Sequence, residues 1–171
     1  MVYGLTEGSA DMVSLLGSKG AHASEMARNG VPVPPGFVIT TEACREYLRL
    51  HHLPEGLWES IVVHVHALEK ETGRRFGDAA EPLVVSVRSG AAVSMPGMMD
   101  TILNLGLNEE TVVALAESSG NEWFAWDSYR RFIQMYGDVV LGVQKRPDED
   151  EEPFELAIEK LKHERFGKDV D

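Results

Sequence analysis

Residues 31–36, with the sequence VPVPPG, limit the fold of this chain more than any other segment. Three prolines within four positions fix φ, remove backbone donors and restrict the residue before each of them, so this stretch cannot be helical. It should run extended into a strand at residues 37–40. The segment therefore separates two predicted helices, 19–28 and 42–50.

Capping residues support both of those helices. The first is closed by Asn29-Gly30, where glycine accepts the left-handed conformation that ends helices. Thr40 or Thr41 can cap the second. A third helix is expected before Gly73, with its core-facing stripe formed by Trp58, Ile61, Val62, Val65 and Leu68.

The remaining pattern predicts one more strand and then helices alone. Residues 83–87, LVVSV, read as a short buried strand that delivers Arg88 at its carboxyl end. Beyond Gly106 we expect helices at 109–117, 121–141 and 153–165, the first of them capped by Asn108. On the second of these helices Phe124, Ser128, Phe132, Met135 and Val139 lie near one face. The fold class is therefore α+β, with a mixed domain at residues 1–107 and a helical subdomain at 108–171.

Composition excludes several classes of function. A net charge of −12, from 28 acidic and 16 basic residues, argues against nucleic acid as a partner, so an anionic ligand must be held by locally placed cations. The acidic block at 148–152 is interpreted as a solvated linker. The lone Cys44 cannot form an internal disulfide, and its neighbours suggest a buried helical position. With neither an apolar span nor an amino-terminal leader, we expect no membrane association and a cytoplasmic location.

Two short segments place a cation where an anion can bind. The turn at residues 17–20, Gly-Ser-Lys-Gly, precedes a helix, so backbone N–H groups and the ammonium of Lys19 can converge on a phosphate. The alternative is a glycine-flanked turn with a solvent lysine. Arg88 follows a strand and can bind phosphate oxygens through two donors, or it can pair with a carboxylate at the edge of the core.

A methionine-rich loop at residues 94–101, SMPGMMDT, is unusual for a packed element. Methionine is apolar and adaptable, and glycine lets backbone amides approach a ligand, so the loop can close over a nucleotide. The alternative is a surface turn against the core. Asp100 and Thr101 either assist a cation or phosphate or stabilise the turn. The histidine pairs have the wrong spacing for a metal site, and none is predicted.

Taken together, these motifs resemble the start of the pyruvate phosphate dikinase family, from about residue 3 to about residue 143. The segments that carry the resemblance are residues 15–21, 31–37, 85–90, 94–101 and 127–136. The loop MPGMMDT and the helix segment YRRFIQ are its most specific parts. Phosphoenolpyruvate synthases share the first turn and the VPxGF strand but differ after Val-Arg-Ser, so the dikinase is the better match.

The resemblance implies the amino-terminal lobe of an ATP-grasp nucleotide-binding domain, followed by a helical subdomain. It implies that Lys19 and Arg88 hold the phosphates of ATP and that Gly97 and Met99 lie in the loop closing over them. Such a domain uses ATP with Mg²⁺ and phosphorylates a histidine on a mobile domain, which passes the phosphoryl group to pyruvate. Ser18 and Ala92 depart from the family pattern, which implies weaker nucleotide binding.

The same resemblance implies that the catalytic histidine and the metal ligands lie outside these 171 residues. No catalytic residue is therefore assigned to this chain, its expected partners are ATP and the remaining domains of the enzyme, and turnover by the chain alone is not expected. A rival hypothesis is a non-catalytic docking or nucleotide-binding module with the same fold. Uncovered apolar surface would then favour a homodimer.

Overall fold

Two small antiparallel sheets organise the part of the chain that the computed structural model describes, residues 1–90, 100–145 and 152–167. In the first sheet, β1 (Val2–Gly4) pairs with β2 (Phe37–Ile39), with Val2 opposite Ile39. In the second, β3 (Val85–Arg88) pairs with β4 (Thr101–Leu105), with Arg88 opposite Thr101. The mixed α and β class is confirmed.

Six α-helices within the described ranges accompany these sheets. Their bounds are α1 Val13–Arg28, α2 Thr41–Leu50, α3 Leu57–Thr72, α4 Thr111–Ser119, α5 Glu122–Val139 and α6 Pro153–Phe166. Two short 3₁₀ turns, Leu5–Glu7 and Ala10–Met12, connect β1 to α1. Helix α1 packs against β2 and α2, and α3 packs against β1.

Helix α1 is interrupted by Gly17, whose φ of 70° and ψ of 165° are not helical. The turn predicted before Lys19 is therefore present, although one helical turn precedes it. Three residues later, Gly20 lies against β2: a Cβ there would come within 3.0 Å of both methyl carbons of Val38. The helix ends at Arg28, followed by Gly30 with φ of 73°, as predicted from Asn29-Gly30.

The proline-rich segment 31–36 is not helical and leads into β2, as predicted. Helix α2 begins directly afterwards. Thr40 is its cap, because the Thr40 hydroxyl accepts a hydrogen bond of 3.2 Å from the Ala43 N–H. The neighbouring Thr41 instead donates from its hydroxyl to the Ser14 carbonyl at 2.6 Å, which joins the start of α2 to the first turn of α1.

The prediction of a buried strand at residues 83–87 is wrong in its position and burial. Strand β3 begins at Val85, and Ser86, Val87 and Arg88 are exposed, while Leu83 before it is buried. Its partner β4 contains a bulge: Val85 lies opposite Leu105 and Val87 opposite Ile102, so β4 holds one extra residue. A two-stranded ribbon leaves one face open, which explains the exposure.

The carboxyl-terminal helices follow the predicted order. Asn121 caps α5 by accepting from the Phe124 N–H at 3.0 Å. Asn108 accepts from the N–H of Glu110 and of Thr111, and α4 begins two residues later than predicted. Helix α6 lies where it was predicted, at Pro153–Phe166.

The buried face of α5 shares Ser128 with the predicted stripe but otherwise differs from it. It is formed by the small residues Ala125, Ser128 and Gly137, whereas Phe124 and Val139 are exposed. Small side chains allow close approach, and the ring of Phe154 in α6 lies directly against Gly137. The helix therefore packs along its small residues and not along its aromatic ones.

Strand β4 packs against α5, and α5 packs against α4. The hydrogen bond from the Asn104 amide to the Ser128 carbonyl, 3.2 Å, strengthens the contact between β4 and α5. The predicted boundary between residues 107 and 108 thus separates elements that touch. The division into domains 1–107 and 108–171 stays a prediction.

Several large apolar side chains are open to solvent. All three tryptophans belong to this group, with exposed fractions of 60% for Trp58, 74% for Trp123 and 46% for Trp126. Trp58 was expected in the core, as was Cys44, and both expectations are wrong. In each case the preceding residue, Leu57 or Ala43, is the buried one. The other residues of the predicted α3 stripe, Ile61, Val62, Val65 and Leu68, are half-buried.

Candidate functional site

Lys19 reaches the end of β3. Its ammonium donates a hydrogen bond of 3.1 Å to the carbonyl oxygen of Ser89, the residue that follows Arg88. The two predicted phosphate-binding segments, seventy residues apart in sequence, therefore meet in the structure. The Lys19 side chain is exposed, as in the alternative of a solvent lysine, but the turn is not isolated because Lys19 contacts Ser89.

The backbone of α1 explains how Lys19 is placed. The break at Gly17 starts a second helical segment, so Ser18, Lys19 and Gly20 form its first turn. Backbone N–H groups in a first helical turn lack intrahelical acceptors and carry a partial positive charge. The contact of Gly20 with Val38 fixes this turn against β2.

Arg88 ends β3 with an exposed side chain. Across the described residues its guanidinium has neither an ion pair nor a hydrogen bond, so the alternative of a pair with a carboxylate at the core edge is not observed there. An unpaired guanidinium keeps all its donors for an external anion. The next residue is Ser89, whose carbonyl oxygen Lys19 contacts.

Ser89 closes the tip of the β3–β4 hairpin. Its N–H and its hydroxyl both donate to the Asp100 carbonyl, at 3.1 Å and 2.7 Å. Asp100 thus takes part in the turn through its backbone, and its own side chain is exposed. Thr101 begins β4 opposite Arg88.

The tip of this hairpin carries the methionine-rich loop in sequence. Residues 91–99, which include Gly97, Met99 and the departure at Ala92, lie outside the described residues. Ser18, the other departure, contacts its own helix, with its hydroxyl 3.4 Å from Nδ1 of His22. The roles assigned to all six site residues stay predictions.

The motif at residues 127–136 forms an ion-pair cluster on α5. Asp127 accepts from Arg130 at 2.7 Å and from Arg131 at 2.7 Å. The hydrogen bond from Arg130, followed by the charges of both arginines, holds the pKa of Asp127 below its ordinary value. These arginines are therefore engaged within the helix, so the motif stabilises α5 locally.

Sequence reasoning missed the part played by Ser89. It lies within the Val-Arg-Ser-Gly segment, but a serine after a strand is common in turns and does not by itself indicate a structural link. Its three hydrogen bonds join it to Lys19 and Asp100, which lie elsewhere in the sequence, so only the structure reveals them. The arrangement as a whole offers an ammonium, an unpaired guanidinium and a helix start near one hairpin tip, which is a donor set suited to phosphate oxygens.

Two further observations concern metal ligands and helix length. Across residues 1–90, 100–145 and 152–167, no three His, Cys, Asp or Glu side chains converge in a way that would hold a metal ion. Within the same ranges, none of the helices has the length and apolar character of a bilayer span.

A family model described as pyruvate phosphate dikinase, AMP/ATP-binding domain, matches residues 13–61, which include Lys19 and the segment through β2 and α2. Among curated relatives, pyruvate, phosphate dikinase of Rhizobium meliloti (strain 1021) is 54% identical over 169 residues, which is 98% of this chain and 18% of the relative. The resemblance found from the motifs is confirmed.

Plant and protist proteins match equally broadly. Pyruvate, phosphate dikinase 1, chloroplastic, of Arabidopsis thaliana is 52% identical over 96% of this chain, and the Entamoeba histolytica pyruvate, phosphate dikinase is 49% identical over 96%. The chain spans only 16–18% of the length of these three relatives.

Proposed function

Because this chain is similar over nearly its whole length to pyruvate phosphate dikinases, we propose that it forms the phosphate-binding part of an ATP-binding domain in such an enzyme. In this proposal Lys19 and Arg88 bind the phosphates of ATP. The fold would be the amino-terminal lobe of an ATP-grasp domain, with the helical residues 108–171 as a subdomain. The loop with Gly97 and Met99, together with Asp100 and Thr101, would close over the bound phosphates.

The observation that carries the proposal is the hydrogen bond between the Lys19 ammonium and the Ser89 carbonyl. It places a lysine from the first helix beside the strand end that holds Arg88. Two cations from distant segments at one strand end are suited to a polyphosphate, and neither is engaged with a carboxylate among the described residues.

Electrostatics adds a second argument. The chain carries a net charge of −12, so a polyanion is repelled by most of its surface. A nucleotide can therefore bind only where positive groups are concentrated. A lysine, an unpaired arginine and the start of a helix supply such a place, and phosphoryl transfer depends chiefly on positioning and charge neutralisation.

The parent reaction would interconvert ATP, phosphate and pyruvate with AMP, diphosphate and phosphoenolpyruvate. This chain would supply binding and orientation of the ATP phosphates, while the magnesium ligands and the phosphorylated histidine would belong to other parts of the enzyme. Turnover by these 171 residues alone is not expected. The relatives are five to six times longer, which leaves room for those parts.

Isothermal titration with Mg²⁺ and ATP tests the proposal. We expect wild-type chain to bind ATP and Arg88→Ala to weaken binding by about 10- to 100-fold, the loss of one charge-assisted bidentate contact. Arg45→Ala is the matched control, because Arg45 is an exposed arginine on α2 without an ion pair among the described residues. Equal affinities for Arg88→Ala and Arg45→Ala would remove Arg88 from the site.

A second candidate is a docking module that binds another polypeptide and no nucleotide. The exposure of Trp123 and Trp126 on one helix favours it, since large aromatic residues are enriched where proteins associate. Sizing chromatography distinguishes the two: a stable dimer without any heat of ATP binding would support docking, and an ATP-binding monomer would exclude it.

A further inference from the structure

We propose that Ser89 is a positioning residue for phosphate binding. It supports binding by joining Lys19 to the tip of the β3–β4 hairpin, where β3 ends and β4 begins. The inference rests on the proposed function, because Ser89 would act through Lys19 and Arg88 and would not itself contact the nucleotide. It assigns to one serine the link between two elements that must be held together for polyphosphate binding.

The geometry of Ser89 differs from that of an ordinary turn residue. All three of its polar groups are used, and by two different segments of the chain. Its carbonyl accepts from the Lys19 ammonium at 3.1 Å, while its N–H and hydroxyl both donate to the Asp100 carbonyl, at 3.1 Å and 2.7 Å. One residue thus connects the first turn after Gly17 with both ends of the segment between β3 and β4.

The Ser89 hydroxyl is the part of this link that a substitution can remove. Without it, the hairpin tip would be closed by the N–H of residue 89 and by the pairing of Arg88 with Thr101. The carbonyl that receives Lys19 and the adjacent guanidinium would then be held by fewer bonds. A cation that must sit within hydrogen-bonding distance of a phosphate loses affinity when its support is loosened, even though the cation itself remains.

Ser86 supplies a matched control. It lies on β3, three residues before Ser89, its side chain is exposed, and its hydroxyl makes no hydrogen bond among the described residues. Substitution of Ser86 removes the same hydroxyl group from β3 without touching the link. Ser89→Thr supplies the conservative variant, because threonine keeps the hydroxyl and is well tolerated at strand ends.

The test measures the affinity of each variant for ATP and for AMP, in the presence of Mg²⁺. Ser89→Ala should weaken ATP binding by about 3- to 10-fold, the range expected for one hydrogen bond. AMP lacks the two outer phosphates, and its affinity should stay within about 2-fold, because a positioning effect on the phosphate-binding cations concerns the polyphosphate. Ser89→Thr should restore ATP binding, and Ser86→Ala should leave both affinities unchanged.

A double-mutant cycle shows whether Ser89 acts through the lysine. If it does, Ser89→Ala should weaken ATP binding less in a Lys19→Met background than in the wild type, by less than about 2-fold. Three results would overturn the inference: unchanged ATP affinity in Ser89→Ala, equal losses for ATP and AMP, or fully additive effects. If wild-type chain binds no ATP, the proposed function fails and Ser89 has no such role. ATP binding that depends on Arg88 but not on Ser89 overturns the positioning role alone.

Discussion

Gly106 approaches the carbonyl oxygen of Leu83 so closely that no side chain fits between them. Its φ of 113° also lies in the region that favours glycine. The contact joins the residue after β4 to the residues before β3, so it secures the base of the hairpin whose tip carries Ser89. Replacing this glycine tests how much the hairpin depends on that base.

Gly106→Ala should lower the free energy of unfolding by about 2–4 kcal/mol, because backbone strain and a steric clash add together. Urea denaturation followed by circular dichroism measures the loss. Gly142→Ala is the control: Gly142 has a φ of 66° but open space around it, so only strain of about 1 kcal/mol applies. Equal losses in the two variants would show that the Leu83 contact adds nothing.

Lys19→Met should separate ligand binding from stability. The lysine is exposed, so its loss should change the free energy of unfolding by less than about 0.5 kcal/mol. ATP affinity should fall by about 10- to 100-fold, as expected when a charge-assisted contact to phosphate is lost. Calorimetric titration checks this, with Lys70→Met on α3 as the charge-matched control. An equal loss of affinity in both variants would indicate a general effect of charge.

Thr40→Ala should destabilise the chain by about 1–2 kcal/mol, because the cap of α2 is lost at a fully buried position. Thr40→Ser keeps the hydroxyl that accepts from the Ala43 N–H, so it should retain most of the stability. The comparison is made by urea denaturation at pH 7. A serine variant as unstable as the alanine variant would attribute the effect to the methyl group instead.

Glu69→Gln should change the response to acid. The hydrogen bond from His66, followed by that from the Phe76 N–H, holds the pKa of Glu69 below its ordinary value of 4.5. The charged carboxylate is thus favoured in the folded state, so its stabilisation is present above pH 4.5 and is lost as the pH falls through the lowered pKa.

Melting temperatures at pH 7 and pH 3 measure this effect. The melting temperature of the wild type should exceed that of Glu69→Gln at pH 7, and the difference between the two melting temperatures should shrink at pH 3. Glu71→Gln, an exposed change in the same helix, should show no such pH-dependent difference. A gap between wild type and Glu69→Gln that is as large at pH 3 as at pH 7 would contradict the assignment.

The elements that local chemistry determines were predicted well. Glycine after α1 and threonine before α2 act on their own backbone neighbours, so their effect can be read from adjacent residues. Burial was predicted less well. The strand containing Val87 resembles a core strand in composition. Within the ranges that the structure describes, however, it has one partner strand and an open face, and composition does not reveal how many neighbours a strand has.

At the candidate site, too, local features were predicted and a long-range contact was not. Lys19 and Arg88 were identified from their own segments, because a cation after a glycine turn or a strand suits phosphate on local grounds. The contact of Lys19 with Ser89 depends on how α1 packs relative to β3, across seventy residues. Such a contact is a property of the packing of two elements, and no spacing within either segment encodes it.

The exposure of Trp58, Trp123 and Trp126 has a practical spectroscopic consequence. Indole rings that already contact water should emit near the wavelength of the unfolded chain, so fluorescence will respond weakly to denaturant. Emission should instead shift to the blue when another polypeptide surface covers Trp123 or Trp126. The native chain therefore carries its own optical reporter of association.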